Sequence, residues 1–129
     1  MPINPVPQKT ILVIDDERDI QRLLKVLLEA AGYSVSAALD AMQGPMMARQ
    51  VKPDLIILDI NMPGGGGSKV YERLRMNSNF LGTPILVYTG VALDDVGKQI
   101  PEHPNTAMLA KPAQPEEILS AVEKLLSQG

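Results

Sequence analysis

Short apolar runs alternate along this chain with longer stretches in which apolar residues recur every three or four positions. The runs are Thr10 to Ile14 (TILVI), Tyr33 to Ala38 (YSVSAA), Leu55 to Leu58 (LIIL), Pro84 to Tyr88 (PILVY) and Thr106 to Ala110 (TAMLA). Four to six residues rich in branched side chains, bounded by Gly, Pro or acids, predict strands, and near-continuous apolarity predicts burial on both faces. YSVSAA partly alternates and is expected nearer an edge. Between the first two runs, Ile20, Leu23, Leu24, Leu27, Leu28 and Ala31 form one apolar helix face, with Asp19 at its start and Gly32 at its C-cap. Val70, Tyr71 and Leu74 predict the inner face of a helix after the third run, and Ala92 to Gln99 a short helix stopped by Pro101. The last helix opens on Pro115, Glu116 and Glu117 and buries Ile118, Leu119, Val122, Leu125 and Leu126.

The helix between strands two and three is less regular. Asp40 is placed to cap it and it runs to about Val51, but Gly44 and Pro45 disfavour a helix interior, so it is expected to start late or bend. Met42, Met46 and Met47 read as adaptable core filler. Gly64 to Gly67 read as a mobile loop after strand three. No GK[ST] follows, so this is no Walker-type phosphate loop.

Strand alternating with helix means βαβ units and one doubly wound five-stranded parallel sheet with five helices. Residues 1–8 read as a disordered lead-in, because their prolines cannot join a central sheet, and 9–127 as the folded domain. At 129 residues the chain holds one domain. Aromatics are 3%, so the core is aliphatic. There is no cysteine, hence no disulfide and no thiolate metal site. A net charge of −3 without a Lys/Arg run argues against direct nucleic-acid binding. No apolar run approaches the ~18 residues of a membrane span, and the N-terminus lacks a signal-peptide core. A cytoplasmic location is the default.

The chemistry stands where the strands end. Strand one ends in Asp15-Asp16, strand three in Asp59, strand four in Thr89 and strand five in Lys111. Each alone reads as an ordinary loop residue, and the lone His103 between Pro101 and Pro104 is given no role. Together, at the carboxyl edge of one sheet, the first set is a specific signal, because open α/β sheets bind ligands there. Asp59 is expected to emerge at the protein surface. Clustered carboxylates repel unless a cation is present. Oxygen ligands without His or Cys suit a hard cation such as Mg²⁺, which binds through one or two carboxylates, water and a phosphate oxygen. The lysine and threonine suit a phosphoryl oxygen, and an Asp carboxylate can be its acceptor.

Asp15-Asp16, Asp59-x-Asn61-Met62-Pro63, Thr89 and Lys111-Pro112 resemble the receiver domain of two-component response regulators, over about Lys9 to Leu126. The resemblance implies the strand order 2-1-3-4-5, that of chemotaxis members of the family. The resemblance implies a phosphorelay switch in which Asp59 takes a phosphoryl group from a phosphohistidine on a sensor histidine kinase or phosphotransfer protein. It implies Mg²⁺ on Asp16, Asp59 and the Asn61 carbonyl, with Asp15 acting through water, and Thr89 and Lys111 on the phosphoryl oxygens. It further implies a cis Lys111-Pro112 bond. The change would reach the face of helix four, strand five and helix five, which would serve a downstream protein or output domain, or a dimer contact. Such a domain catalyses only its own phosphorylation and dephosphorylation. Three departures stand out. Met108 occupies the position of a usual switch aromatic. Gly90 follows the threonine where Ala is common, and should loosen that loop. The glycine run is longer than usual, although Gly67 fits the family's glycine. Two other functions compete: a small Mg²⁺-dependent phosphohydrolase, for which the chain has no cap insertion, and a receiver-like scaffold that takes no phosphate.

Overall fold

The computed structural model describes residues 8–63 and 66–128. Most of the expected lead-in (1–7), and Gly64 and Gly65, lie outside the described residues. The elements alternate as the pattern predicts: β1 (Thr10–Ile14), α1 (Arg18–Ala30), β2 (Ser34–Ala38), α2 (Gln43–Val51), β3 (Leu55–Leu58), α3 (Gly66–Met76), β4 (Ile85–Thr89), α4 (Leu93–Gln99), β5 (Thr106–Ala110) and α5 (Pro115–Ser127). The five strands form one parallel sheet in the order β2-β1-β3-β4-β5.

Period-two alternation divides the strand side chains between two cores. Ile11, Val13, Leu55, Ile57, Leu86 and Tyr88 pack under α1 and α5. Leu12, Ile14, Ile56, Leu58, Ile85 and Val87 pack under α2, α3 and α4. This explains why the central runs show no polar alternation, while the edge strand β2 is only partly buried.

Local chemistry sets the ends. Gly32 follows α1 at φ 100°, the left-handed conformation that glycine takes most readily. Asp40 Oδ1 accepts from the N–H groups of Met42 and Gln43 at 3.0 and 2.7 Å, and α2 starts late, with Gly44 and Pro45 in its first turn. Gly44 packs on β1: a Cβ there would stand 3.1 Å from the Ile14 side chain. Gln114 N–H donates to Glu117 Oε1 at 3.0 Å at the start of α5.

Three readings change. Only Met47 of the three methionines packs on the core; Met42 and Met46 are exposed. On α1, Leu24 and Leu28 are buried but Leu23 is 53% exposed, so the inward stripe is narrower than its sequence spacing suggested. Gly66 and Gly67 are not loop: they are the buried first turn of α3. The reason is clearance. A Cβ on Gly66 would come within 2.7 Å of Ala41 Cβ, and one on Gly67 would run into the backbone of Asp59 and Ile60.

Candidate phosphoacceptor site

The sheet ladder itself delivers the site, because it runs one residue past each strand. Asp15 N–H donates to Ala38 O (3.1 Å), Asp59 N–H to Ile14 O (3.0 Å) and Lys111 N–H to Thr89 O (2.8 Å). Continuing the alternation, Asp15, Asp59 and Lys111 follow the α1/α5 face, while Thr89 and Met108 follow the other. Gln21 of α1 ties the edge together, donating to the carbonyls of Asp15 and Ala38, both at 2.8 Å.

Lys111 is the centre of this geometry. Its Nζ lies 2.8 Å from Asp15 Oδ2 and 3.1 Å from Asp59 Oδ2. Glu17, which the sequence pattern did not single out, comes within 3.5 Å from an exposed position, where a salt bridge contributes little. The remaining oxygens are also held. Asp15 Oδ1 accepts from Glu17 N–H and Asp59 Oδ1 from Asn61 N–H, both at 2.9 Å. The expectation of a surface Asp59 is thereby corrected: it stands at the carboxyl end of β3 but is only 4% exposed, and Asp15 2%. An ionised carboxylate tolerates that burial because an ammonium and a backbone N–H meet it.

Asp16 is exposed at the rim, and single carboxylate oxygens of Asp15, Asp16 and Asp59 all lie within 4.8 Å of one another. A cleft of about 600 Å³ opens beside them, lined by Asp16, Asn61, Met62 and Val91 among others. Burial pushes the Asp15 carboxyl up, and Lys111 and the Glu17 N–H, pulling the other way, do not cancel it. For Lys111, burial pulls down, but the Asp15 and Asp59 carboxylates together outweigh it and the net shift is upward. Both groups therefore hold their protons more tightly than in water. Three carboxylates stand against one ammonium here, and the donor set is all oxygen. These residues fit a hard divalent cation.

Thr89 is fully buried, and its hydroxyl accepts from Val91 N–H at 3.3 Å rather than touching the acids. Met108 is half-buried against the α2/α3/α4 core. The Lys111-Pro112 bond is cis, as the resemblance implied. An open parallel sheet carrying acids and a lysine at its carboxyl edge defines a phosphate- or cation-handling α/β domain.

The chain belongs to the response regulator receiver domain family, whose model matches residues 11–123. It is 39% identical over 118 residues to the DNA-binding dual master transcriptional regulator RpaA of Synechocystis sp., covering 90% of this chain and 48% of that protein. It is 33% identical over 118 residues to the phosphate regulon transcriptional regulatory protein PhoB of Pseudomonas aeruginosa, covering 92% of this chain and 52% of that protein. The chain thus spans about half the length of these relatives. Among solved structures it resembles the chemotaxis response regulator CheY4 of Vibrio cholerae, with a TM-score of 0.83 at 29% identity over 92% of this chain and 99% of that one. Receiver domains are signalling switches rather than conventional enzymes, and the Asp15–Asp16–Asp59 pocket fits a phosphoacceptor site. No described helix is long and apolar enough to cross a membrane.

One arrangement escaped the sequence reading altogether. Arg75 of α3 donates to four backbone carbonyls at the amino edge of the sheet: Phe80 (3.1 Å), Leu81 (3.1 Å), Thr83 (2.7 Å) and Asn105 (3.2 Å). It also reaches Thr106 Oγ1 at 2.8 Å and lies over the Tyr71 ring, while Tyr71 OH and Thr106 Oγ1 share a hydrogen bond of 2.8 Å. His103 belongs to this edge. It is half-buried, not merely solvated, and its Nδ1 accepts from Asn105 N–H at 3.0 Å.

Proposed function

We propose that residues 9–127 are a receiver domain in which Asp59 is the phosphoacceptor. The observation that carries this reading is the Lys111 ammonium bridging the buried Asp15 and Asp59, with Asp16 beside them. The donor is a phosphohistidine on a sensor histidine kinase or phosphotransfer protein. One Asp59 carboxylate oxygen attacks phosphorus, the P–O bond forms as the P–N bond breaks, and the leaving imidazole takes up a proton. Asp16, Asp59 and the Asn61 carbonyl, with Asp15 assisting through water, would hold Mg²⁺, which would supply charge neutralisation at the phosphoryl oxygens. Lys111 leaves its resting place between the carboxylates to meet a phosphoryl oxygen, and the Thr89 hydroxyl gives up Val91 N–H to meet another. Positioning and charge neutralisation are most of the catalysis. The domain's only chemistry is its own phosphorylation and dephosphorylation, in the cytoplasm. Its readers are a downstream protein or output domain at the face of α4, β5 and α5, where Thr89 and Met108 act as the switch.

Incubation with Mg²⁺ and acetyl phosphate is expected to add one hydroxylamine-labile phosphoryl group, and Asp59→Asn to abolish it. Mass mapping that places the group on Asp15, Asp16 or Thr89 would overturn the assignment. Phosphate release from assorted small phosphoesters would favour a phosphohydrolase instead, and no phosphorylation by acetyl phosphate at all a scaffold.

A further inference from the structure

Away from the acid cluster, α2 and α3 present a face that neither the switch chemistry nor the core uses. Met42, Met46 and Arg49 follow one another at helical spacing along α2 (i, i+4, i+7), and Lys69, Arg73 and Met76 do the same along α3. The three methionines are 76%, 46% and 80% exposed. Such exposure is not needed for folding, since Met47 alone of the α2 methionines reaches the core. Between the helices, where Gly66 lets α3 close on Ala41, lies a groove of about 460 Å³ with Met42, Pro63 and Val70 along it and Lys69 and Arg73 at its rim. A separate hollow of about 450 Å³ lies at the far end of α2, with Arg49 and Lys52 on its wall.

Cations outnumber acids on this face. Among the described residues no carboxylate forms a salt bridge with Arg49, Lys52, Lys69 or Arg73. Helix α2 has no acid at all. The single acid of α3, Glu72, lies one turn from both Lys69 and Met76 and so sits at the edge of this face. Asp40 borders the groove, but its Oδ1 caps the N–H groups of Met42 and Gln43. Four cations against Asp40 and Glu72 leave this face positive on a chain whose net charge is −3.

We propose that the α2–α3 face docks a partner protein segment that is amphipathic and acidic: a helical peptide with aliphatic or aromatic anchors over the methionines and Glu or Asp opposite Lys69, Arg73 and Arg49. Methionine suits this role because its unbranched thioether adapts to different anchors. Opposite charge supplies register and fast encounter. A lipid surface fits less well, since the feature is a groove and lacks the Trp, Phe or Leu of interfacial helices. A nucleic-acid strand would need aromatic platforms for its bases, which this face does not have.

The test is a phage-displayed library of amphipathic helical peptides whose flanks are either acidic or basic, selected against the whole chain. Acid-flanked clones are expected to be enriched. Their synthetic peptides should shift the ¹³C-methyl signals of Met42, Met46 and Met76. Lys69→Glu with Arg73→Glu should weaken them roughly tenfold or more, and Lys substitutions in the peptide's acidic flank should recover the loss. Thermal midpoints check that the reversed variant is folded; where it is not, Lys69→Gln with Arg73→Gln is expected to give a smaller weakening of the same sign. Enrichment blind to flank charge, methyls that stay still, affinity indifferent to both variants, or binding to anionic phospholipid vesicles but to no peptide would each overturn the proposal.

Discussion

Two cations hold opposite edges of the same sheet, and they do it differently. Lys111, at the carboxyl edge, bridges two carboxylates with one ammonium. Arg75, at the amino edge, spreads a planar fork over four neutral carbonyls and a hydroxyl. A guanidinium keeps its charge at any working pH and its donors are fixed in one plane, whereas an ammonium is a point charge on a flexible stem. The partners differ in the same sense. Carbonyls in two loops cannot change charge, but carboxylates can be titrated, acylated or given a metal. One edge is therefore built to stay and the other to be rearranged, although both use hydrogen bonds of similar length.

Removing each cation breaks this comparison most directly. Arg75→Ala leaves the Leu81 and Thr83 carbonyls without their donor, while Phe80 and Asn105 keep the N–H groups of Thr83 and Ile85, and is expected to cost about 3 kcal/mol of stability, whether or not Mg²⁺ is present. Lys111→Ala leaves two buried carboxylates facing one another and is expected to cost about 2 kcal/mol in EDTA. Mg²⁺ should restore much of that second loss and none of the first. Denaturant unfolding of both variants, with and without Mg²⁺, distinguishes the two edges; equal rescue would dissolve the distinction.

Acid should pull the edges in opposite directions. The Asp15 carboxyl is raised above 3.8, chiefly by burial. Its contribution to stability is thus full below that value and lost as pH rises through the folded pKa. His103 is lowered from 6.5, by burial and then by Arg75. Its contribution is present above 6.5 and lost as pH falls through the folded pKa, where protonation removes the acceptor for Asn105 N–H. Melting in EDTA from about pH 4.5 to about pH 7.5 should show Asp15→Asn easing the decline toward neutral pH and His103→Gln easing the decline toward acid, each by roughly 1–3 °C. Parallel profiles for the two variants would contradict the sign assigned to one edge.

The smallest effect lies at Gly90, just past Thr89. An added Cβ there meets nothing within 4 Å. Gly90→Ala is expected to stabilise by about 0.5 kcal/mol through the unfolded chain, and to slow exchange of the Val91 amide. A loss of stability would mean that the switch loop needs glycine for its conformation.

Much of the fold was legible because the parallel sheet writes itself into the chain. Buried strands cannot carry charge, so Asp15, Asp59 and Lys111 had to mark strand ends, and alternation with helices forced those ends onto one edge. The burial of Asp59 was not legible, because it depends on Lys111 arriving from 52 positions away. The exposed methionines were misread because composition cannot tell adaptable core from adaptable surface. Gly66 and Gly67 were misread because glycine marks close approach as well as freedom, and only the positions of Ala41, Asp59 and Ile60 decide which. Arg75 gave no signal: its partners are carbonyls, which every residue carries.

The pairing of β5 with β4 acquires a mechanical meaning from these two ends. Arg75 pins Asn105 and Thr106, where the strand begins, and Lys111 follows its last residue, Ala110. From the pinned carbonyl to Lys111 is about 20 Å of extended chain. A rod fixed at one end and drawn sideways at the other pivots rather than slides. Met108 stands midway along that arm, so it would travel about half as far as Lys111 does. A displacement of about 1 Å at the acid cluster thus arrives at the α4-side surface as a tilt of about 3°. The fulcrum would be an arginine at the edge of the sheet opposite the acid cluster.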